Sequence, residues 1–196
     1  MTIEKLNVIN RVPKKNGDLY KNKYRIKSAR RPGYDYAHNG YYFITICTVK
    51  RTIFFGAVTN GLMILNDAGR LAEKFWHDIP GQFSSVLLDA FCIMPDHIHG
   101  LIFIDKDLTA KTESARTGGA AGQYNPMGKK TLGEIIRWYK GRCTFEIRMI
   151  KPGFAWQARF YDHIVRDRNA LNKIRQYIIN NPNNQAKSKN YQINNG

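Results

Sequence analysis

The chain has 196 residues, enough to bury a core within one domain, and its 43% hydrophobic content excludes a wholly disordered polypeptide. No run reaches the roughly 18 apolar residues of a membrane span. The polar opening MTIEKLNVINRVPKK, with the scattered Cys47, Cys92 and Cys143, argues against secretion, a disulfide framework or a zinc cluster and sets a cytoplasmic expectation. A formal net charge of +16 favours a polyanionic partner, without separating DNA from RNA or an anionic membrane.

Residues 1–34 hold ten basic side chains, among them Lys14, Lys15, Arg30 and Arg31, against two acidic ones, and Tyr20, Tyr24 and Tyr34 are interleaved. Two readings are open: an arm that grips nucleic acid through phosphate contacts and stacking, or a loosely ordered tail. YYFITICTVK (41–50) is rich in β-branched and aromatic residues and predicts a buried strand. Asn66 or Asp67 can cap a helix that buries Leu71, Ala72, Phe75 and Ile79 and ends at Pro80. Residues 84–94 predict a second strand, Pro95-Asp96 a turn, and HIHGLIFI (97–104) a third strand antiparallel to the second. Residues 105–130 hold four glycines and few large apolar groups, the composition of a long surface loop.

Thr131 and Glu134 form a T-x-x-E capping box before a helix that presents Leu132, Ile135, Ile136, Tyr139, Cys143, Ile147 and Ile150 at helical spacing, with Arg137 and Lys140 largely elsewhere. An irregular stretch or short strand follows through FAWQARFYDHIVRD. Asp167 can cap a last helix with Leu171, Ile174 and Ile178 inward, ended by Pro182, and residues 186–196 read as a polar tail. This order predicts an α+β sandwich: an antiparallel sheet covered by helices, mainly on one face.

His97 and His99 flank Ile98, so on a strand both imidazoles project to one face and form a two-nitrogen platform for a divalent ion. By itself a His-x-His pair is weak evidence, and no H-E-x-x-H or C-x-x-C accompanies it. Tyr177 lies beside the buried stripe of the last helix, with Asn181 four residues on and on the same face if the helix reaches that far. A phenol is a poor nucleophile until something favours its phenolate, which a nearby metal ion or basic group does. The alternative for Tyr177 alone is a packing residue with its ring in the core and its hydroxyl in water.

Four segments together carry a family resemblance. MPDHIHGLI (94–102) resembles the His-hydrophobic-His motif of the HUH single-tyrosine transposases. WQARFYDHIVR (156–166), followed by IRQYIINNP (174–182), resembles the signature of the REP-associated tyrosine transposases, and YFITICT (42–48) is similar to the family's first strand. The resemblance covers roughly residues 35–185. It implies a ferredoxin-like α+β sandwich with a central antiparallel sheet. It also implies Tyr177 as the nucleophile, His97, His99 and Asn181 as ligands of Mg²⁺ or Mn²⁺, and a 5′-phosphotyrosine intermediate. The activity implied is single-stranded DNA cleavage and joining near hairpin or palindromic elements, by a monomer or homodimer that is nucleoid-associated when on DNA.

His163 and Arg166 are expected to contact DNA or brace the site, and Arg137, Lys140, Lys14, Lys15, Arg30 and Arg31 are further candidates for DNA contact. The basic extension and the 105–130 insertion depart from the most compact relatives. Two other classes compete: a non-catalytic nucleic-acid-binding α+β module, which leaves the histidine pair idle, and a replication or relaxase-type HUH nuclease, in which the tyrosine commonly precedes the histidines.

Overall fold

The structure, a computed structural model, describes residues 39–105, 107–108 and 131–185. The basic segment 1–34, most of the 105–130 loop and the tail 186–196 lie outside the described residues, and Lys14, Lys15, Arg30 and Arg31 with them.

The sheet is built from four strands: β1 (Gly40–Cys47), β4 (Val86–Met94), β5 (His97–Ile104) and β6 (Tyr161–Val165). Their order is β4-β5-β1-β6, and every neighbouring pair is antiparallel. Helix α1 (Asp67–His77) connects β1 to β4, and α3 (Leu132–Ile150) connects β5 to β6. That is the split β-α-β-β-α-β arrangement of a ferredoxin-like fold. A hairpin of β2 (Gly56–Thr59) and β3 (Leu62–Leu65) is inserted before α1, and a last helix, α4 (Arg168–Ile179), follows β6.

The hairpin is an addition to the predicted elements, turning at Asn60 and Gly61 with φ of 52° and 75°. Two successive positive φ values make the primed turn that an Asn-Gly pair favours. A Cβ on Gly61 would stand 2.0 Å from Asn183 Oδ1, so the turn packs directly on the segment after α4.

Local signals set the helix starts. The Asn66 side chain accepts from Gly69 N, the Thr131–Glu134 box is complete in both directions, and Asp167 accepts from Ala170 N. Two predicted ends shift. Helix α1 stops at His77, and Ile79 with Pro80 begins a separate short helix, α2 (Ile79–Gln82), because proline suits a first turn better than a last one. Helix α4 stops at Ile179, and the chain makes a new helical turn over 181–185 with Pro182 in its first turn. Ile150, expected in the inner stripe of α3, is its last residue and is exposed.

The two faces of the sheet are covered differently. Even-numbered residues of β1 and β5 (Tyr42, Ile44, Ile46, Ile98, Ile102 and Ile104) join α1, α2 and α3 in the larger core. Gly100 on this face lets Trp76 of α1 lie flat on the sheet, where a Cβ would meet its ring at 2.2 Å. The other face carries Leu101, Tyr41 and Phe43 and is covered by Leu171, Ile174 and Ile178 of α4. The helices therefore lie on both faces, two long ones on one side and α4 on the other. Asp89 sits where the β4–β5 register shifts between Leu88 and Phe91, and there it grips Arg175 of α4. Its carboxyl is held below the usual range by the Arg175 hydrogen bonds, against the opposing effect of burial.

Candidate active site

The α4-covered face brings together the residues that the sequence separates. Strand alternation turns His97, His99 and Leu101 to this side, and their cross-strand partners on β1 are Cys47, Thr45 and Phe43. His97 and His99 are 7% and 6% exposed, buried at the end of the strand where the Pro95-Asp96 turn enters. The backbone of that turn is tied down: Pro95 O accepts from Phe54 N and Phe55 N, and Asp96 O accepts from Thr48 N.

Each imidazole is oriented by a partner at Nδ1. His97 Nδ1 lies 2.6 Å from Asp96 Oδ1, and His99 Nδ1 lies 2.8 Å from Thr45 Oγ1. A carboxylate only accepts, so the proton of neutral His97 sits on Nδ1 and the lone pair is on Nε2. Thr45 can accept likewise from His99. The two Nε2 atoms are 3.1 Å apart. Two lone pairs at that separation repel unless a proton or a cation lies between them. Burial drives the His97 pKa down, opposed by the Asp96 hydrogen bond, and drives His99 down to about 3, with further lowering from His97 and Arg51. The doubly protonated, charged form is thus disfavoured at both rings, and the 3.1 Å spacing suits either one Nε2–H donating to the other Nε2 or two lone pairs turned toward one cation. Two nitrogens each about 2.1 Å from one ion and about 90° apart are separated by about 3.0 Å, close to the spacing observed. Among the described residues, no group of three His, Cys, Asp or Glu side chains is placed to hold a metal.

Tyr177 reaches this point from α4. Its hydroxyl lies 3.4 Å from His99 Nε2, and its ring is half-buried against Phe43 and His99 at centroid distances of 6.1 and 5.2 Å. Asn181 is 8% exposed and lies just past the break in α4, so it is not on one continuous helical face with Tyr177.

The remaining candidates divide. His163 pairs with Phe43 across β1 and β6 and stays exposed on the edge strand, on the same face as Tyr161. Arg166 is exposed just past β6. Arg137 and Lys140 belong to α3, on the opposite side of the sheet. Arg137 is exposed beside Glu134, whereas the Lys140 ammonium donates to Gln157 O and Arg159 O at 2.8 and 3.0 Å and ties that segment to the helix. Sequence reasoning did not single out Thr45, Asp96 or Arg51 as site residues. Asp96 had a signal, a carboxylate next to a candidate ligand; the other two arrive through strand pairing and an unusual turn.

No family model matches the chain. An uncharacterized protein of Haemophilus influenzae is 36% identical over 157 residues, 80% of this chain and 87% of that protein. Among solved structures, a REP-associated tyrosine transposase bound to a REP hairpin superposes with a TM-score of 0.51 at 15% identity, over 82% of this chain and 74% of that one. The second likeness shows a shared α+β fold. Among the described residues, no helix is long and apolar enough to cross a membrane.

Proposed function

The chain belongs to one family with the Haemophilus influenzae protein, and we propose that it is a metal-assisted nuclease that cuts and rejoins single-stranded DNA through Tyr177. One observation carries the reading: the Tyr177 hydroxyl and the facing Nε2 atoms of His97 and His99 meet within hydrogen-bond range on one buried patch of the sheet. The fold shared with a transposase that binds a REP hairpin supports DNA with hairpin elements as the substrate class. The charge of +16 supports a polyanion, bound at the nucleoid in a cytoplasmic setting.

His97 and His99 would hold the ion through Nε2, Asn181 would supply its amide oxygen, and Asp96 and Thr45 fix the two rings. Mg²⁺ or Mn²⁺ in that place would polarise the phosphate and offset the charge that builds on it, with Mn²⁺ the better match to imidazole. Tyr177 Oη forms a bond to phosphorus as the P–O3′ bond breaks. The phenolic proton leaves to water and the 3′ oxygen is released as a hydroxyl. One phosphoester replaces another, so the 3′-hydroxyl of a second strand can reverse the step and no external energy source is needed. His163 and Arg166, exposed along the edge strand, are placed to touch the DNA strand beside the site.

A purely binding module on the same sheet would explain the charge but gives no reason for two facing Nε2 atoms beside a phenol. The test is incubation of the full chain with hairpin-bearing single-stranded DNA and Mn²⁺. A denaturant-resistant protein–DNA species supports the nuclease; DNA binding without one supports the module.

A further inference from the structure

The turn that follows β1 holds two successive non-glycine residues in the left-handed region, Lys50 (φ 51°, ψ 22°) and Arg51 (φ 58°). Side chains disfavour this conformation, so the pair persists only where its surroundings impose it. Those surroundings are the turn that carries the first histidine. Thr48, fully buried, has Thr52 O and Asp96 O at 2.7 and 2.9 Å to share its single hydroxyl proton, and its backbone N donates to Asp96 O.

The strained turn delivers one guanidinium to the histidine pair. Arg51 Nε donates to Asp96 Oδ2 at 2.8 Å, Nη1 lies 3.0 Å from Cys47 Sγ, and Nη2 lies 3.2 Å from His97 Nδ1. The last contact is not a hydrogen bond, because that nitrogen already gives its proton to Asp96 at 2.6 Å. Asp96 therefore takes Nε and Cys47 Sγ one hydrogen of Nη1, which leaves the other Nη hydrogens without a partner among the described residues. The Arg51 side chain is 50% exposed, against 14% for Asp96, so it is open to solvent beside His97.

We propose that Arg51 binds the DNA strand being cut, donating from Nη to a non-bridging oxygen of the phosphate presented to His97 and His99. This rests on the nuclease reading of the site. Arginine suits the role because its planar fork holds a carboxylate on one edge and a phosphate on another, which an ammonium cannot do in one fixed geometry.

Two measurements separate this proposal from that reading. The first needs no cleavage: affinity for a hairpin-bearing single strand is followed against salt in the Tyr177→Phe protein, with and without Arg51→Ala. Loss of one phosphate contact lowers the slope of log affinity against log salt by about 0.7; an unchanged slope overturns the contact, whether or not the wild-type chain cleaves DNA. The second uses the active chain. Arg51→Ala lowers kcat about a hundredfold or more, with Mn²⁺ affinity near wild type, and added methylguanidinium restores part of the rate. If Mn²⁺ affinity falls in step with the rate and methylguanidinium does nothing, Arg51 only props Asp96 and the proposal fails. Should the alanine variant not fold, Arg51→Lys decides: it keeps the salt slope but loses rate, and wild-type kcat from lysine overturns the role given to the fork. Absence of any covalent adduct with the wild-type chain is a failure of the nuclease reading instead.

Discussion

The Tyr177 hydroxyl stands 3.4 Å from His99 Nε2, although 78 residues separate the two in the chain. Three features bring them together: the alternation of β5, the packing of α4 on the same face, and the Asp89–Arg175 pair at the bulge of β4.

The metal should depend on groups that do not touch it. Thr45→Val keeps the shape of the side chain but leaves His99 Nδ1 without its hydroxyl partner. Mn²⁺ affinity should fall about 10- to 100-fold, as for other oriented histidine ligands. The His97→Ala, His99→Ala double variant should fold, bind no Mn²⁺ and cleave no DNA. Cleavage at the wild-type rate by the double variant under chelation would sink the metal reading.

Asp89 should control the placement of Tyr177 from a distance. Its carboxylate holds Arg175, two residues before the tyrosine, through Nε contacts of 2.9 and 3.1 Å. Asp89→Asn should cost about 1 kcal/mol in urea unfolding, typical of a partly exposed pair with good geometry. It should also slow adduct formation while Mn²⁺ affinity holds. A coupling of zero in a double-mutant cycle with Arg175→Met would show that the pair does not dock the helix.

Metal-free stability should fall in mild acid. An unfolded histidine takes up its proton near pH 6.5, whereas burial holds folded His99 at about 3 and lowers His97 as well. Between these limits the unfolded chain binds more protons, so unfolding free energy drops as pH falls from about 6.5, with a slope approaching about 1.4 kcal/mol per pH unit per histidine. Urea melts in chelator from pH 7 to 5 measure it, and His99→Gln should flatten the curve. A stability that rises toward pH 5 would contradict the burial argument.

Gly100 should be intolerant of a methyl group. A Cβ there meets Trp76 Cη2 and Cζ2 at 2.2 and 2.3 Å. Gly100→Ala should cost about 1–3 kcal/mol as overpacking, with a lower melting temperature and, because this face is opposite to the histidines, little change in Mn²⁺ affinity. Unchanged melting would mean that the Trp76 ring moves freely.

Much of this was legible because it is local. Asn66, the Thr131–Glu134 box and Asp167 mark helix starts through side chains that reach three residues ahead. The His-Ile-His spacing and the Asn60-Gly61 turn are equally short-range signals, though only the first was read as one. What depended on distant partners was not legible. The break after Ile179 reflects packing of the next turn, including Asn183 against Gly61, not a rule about Pro182 alone. The Asp89–Arg175 pair that pins α4 beside its apolar contacts depends on a bulge that no pattern in residues 84–94 announces. Arg51 had no signal at all, since a left-handed lysine–arginine pair runs against backbone preference and is imposed by Thr48 and Asp96.

The central claim is that Tyr177 is the nucleophile, and mass spectrometric mapping of the DNA-linked peptide tests it most directly. Wild-type protein, its Tyr177→Phe variant and controls carrying Tyr139→Phe or Tyr161→Phe are incubated with hairpin-bearing single-stranded DNA and Mn²⁺. The account predicts a nucleotide adduct on Tyr177 in the wild type and in both controls. It predicts no adduct and no strand cleavage for Tyr177→Phe, whose DNA affinity and fold stay near wild type because the ring packed on Phe43 and His99 is kept. An adduct on any other residue, or full cleavage by Tyr177→Phe, would contradict it.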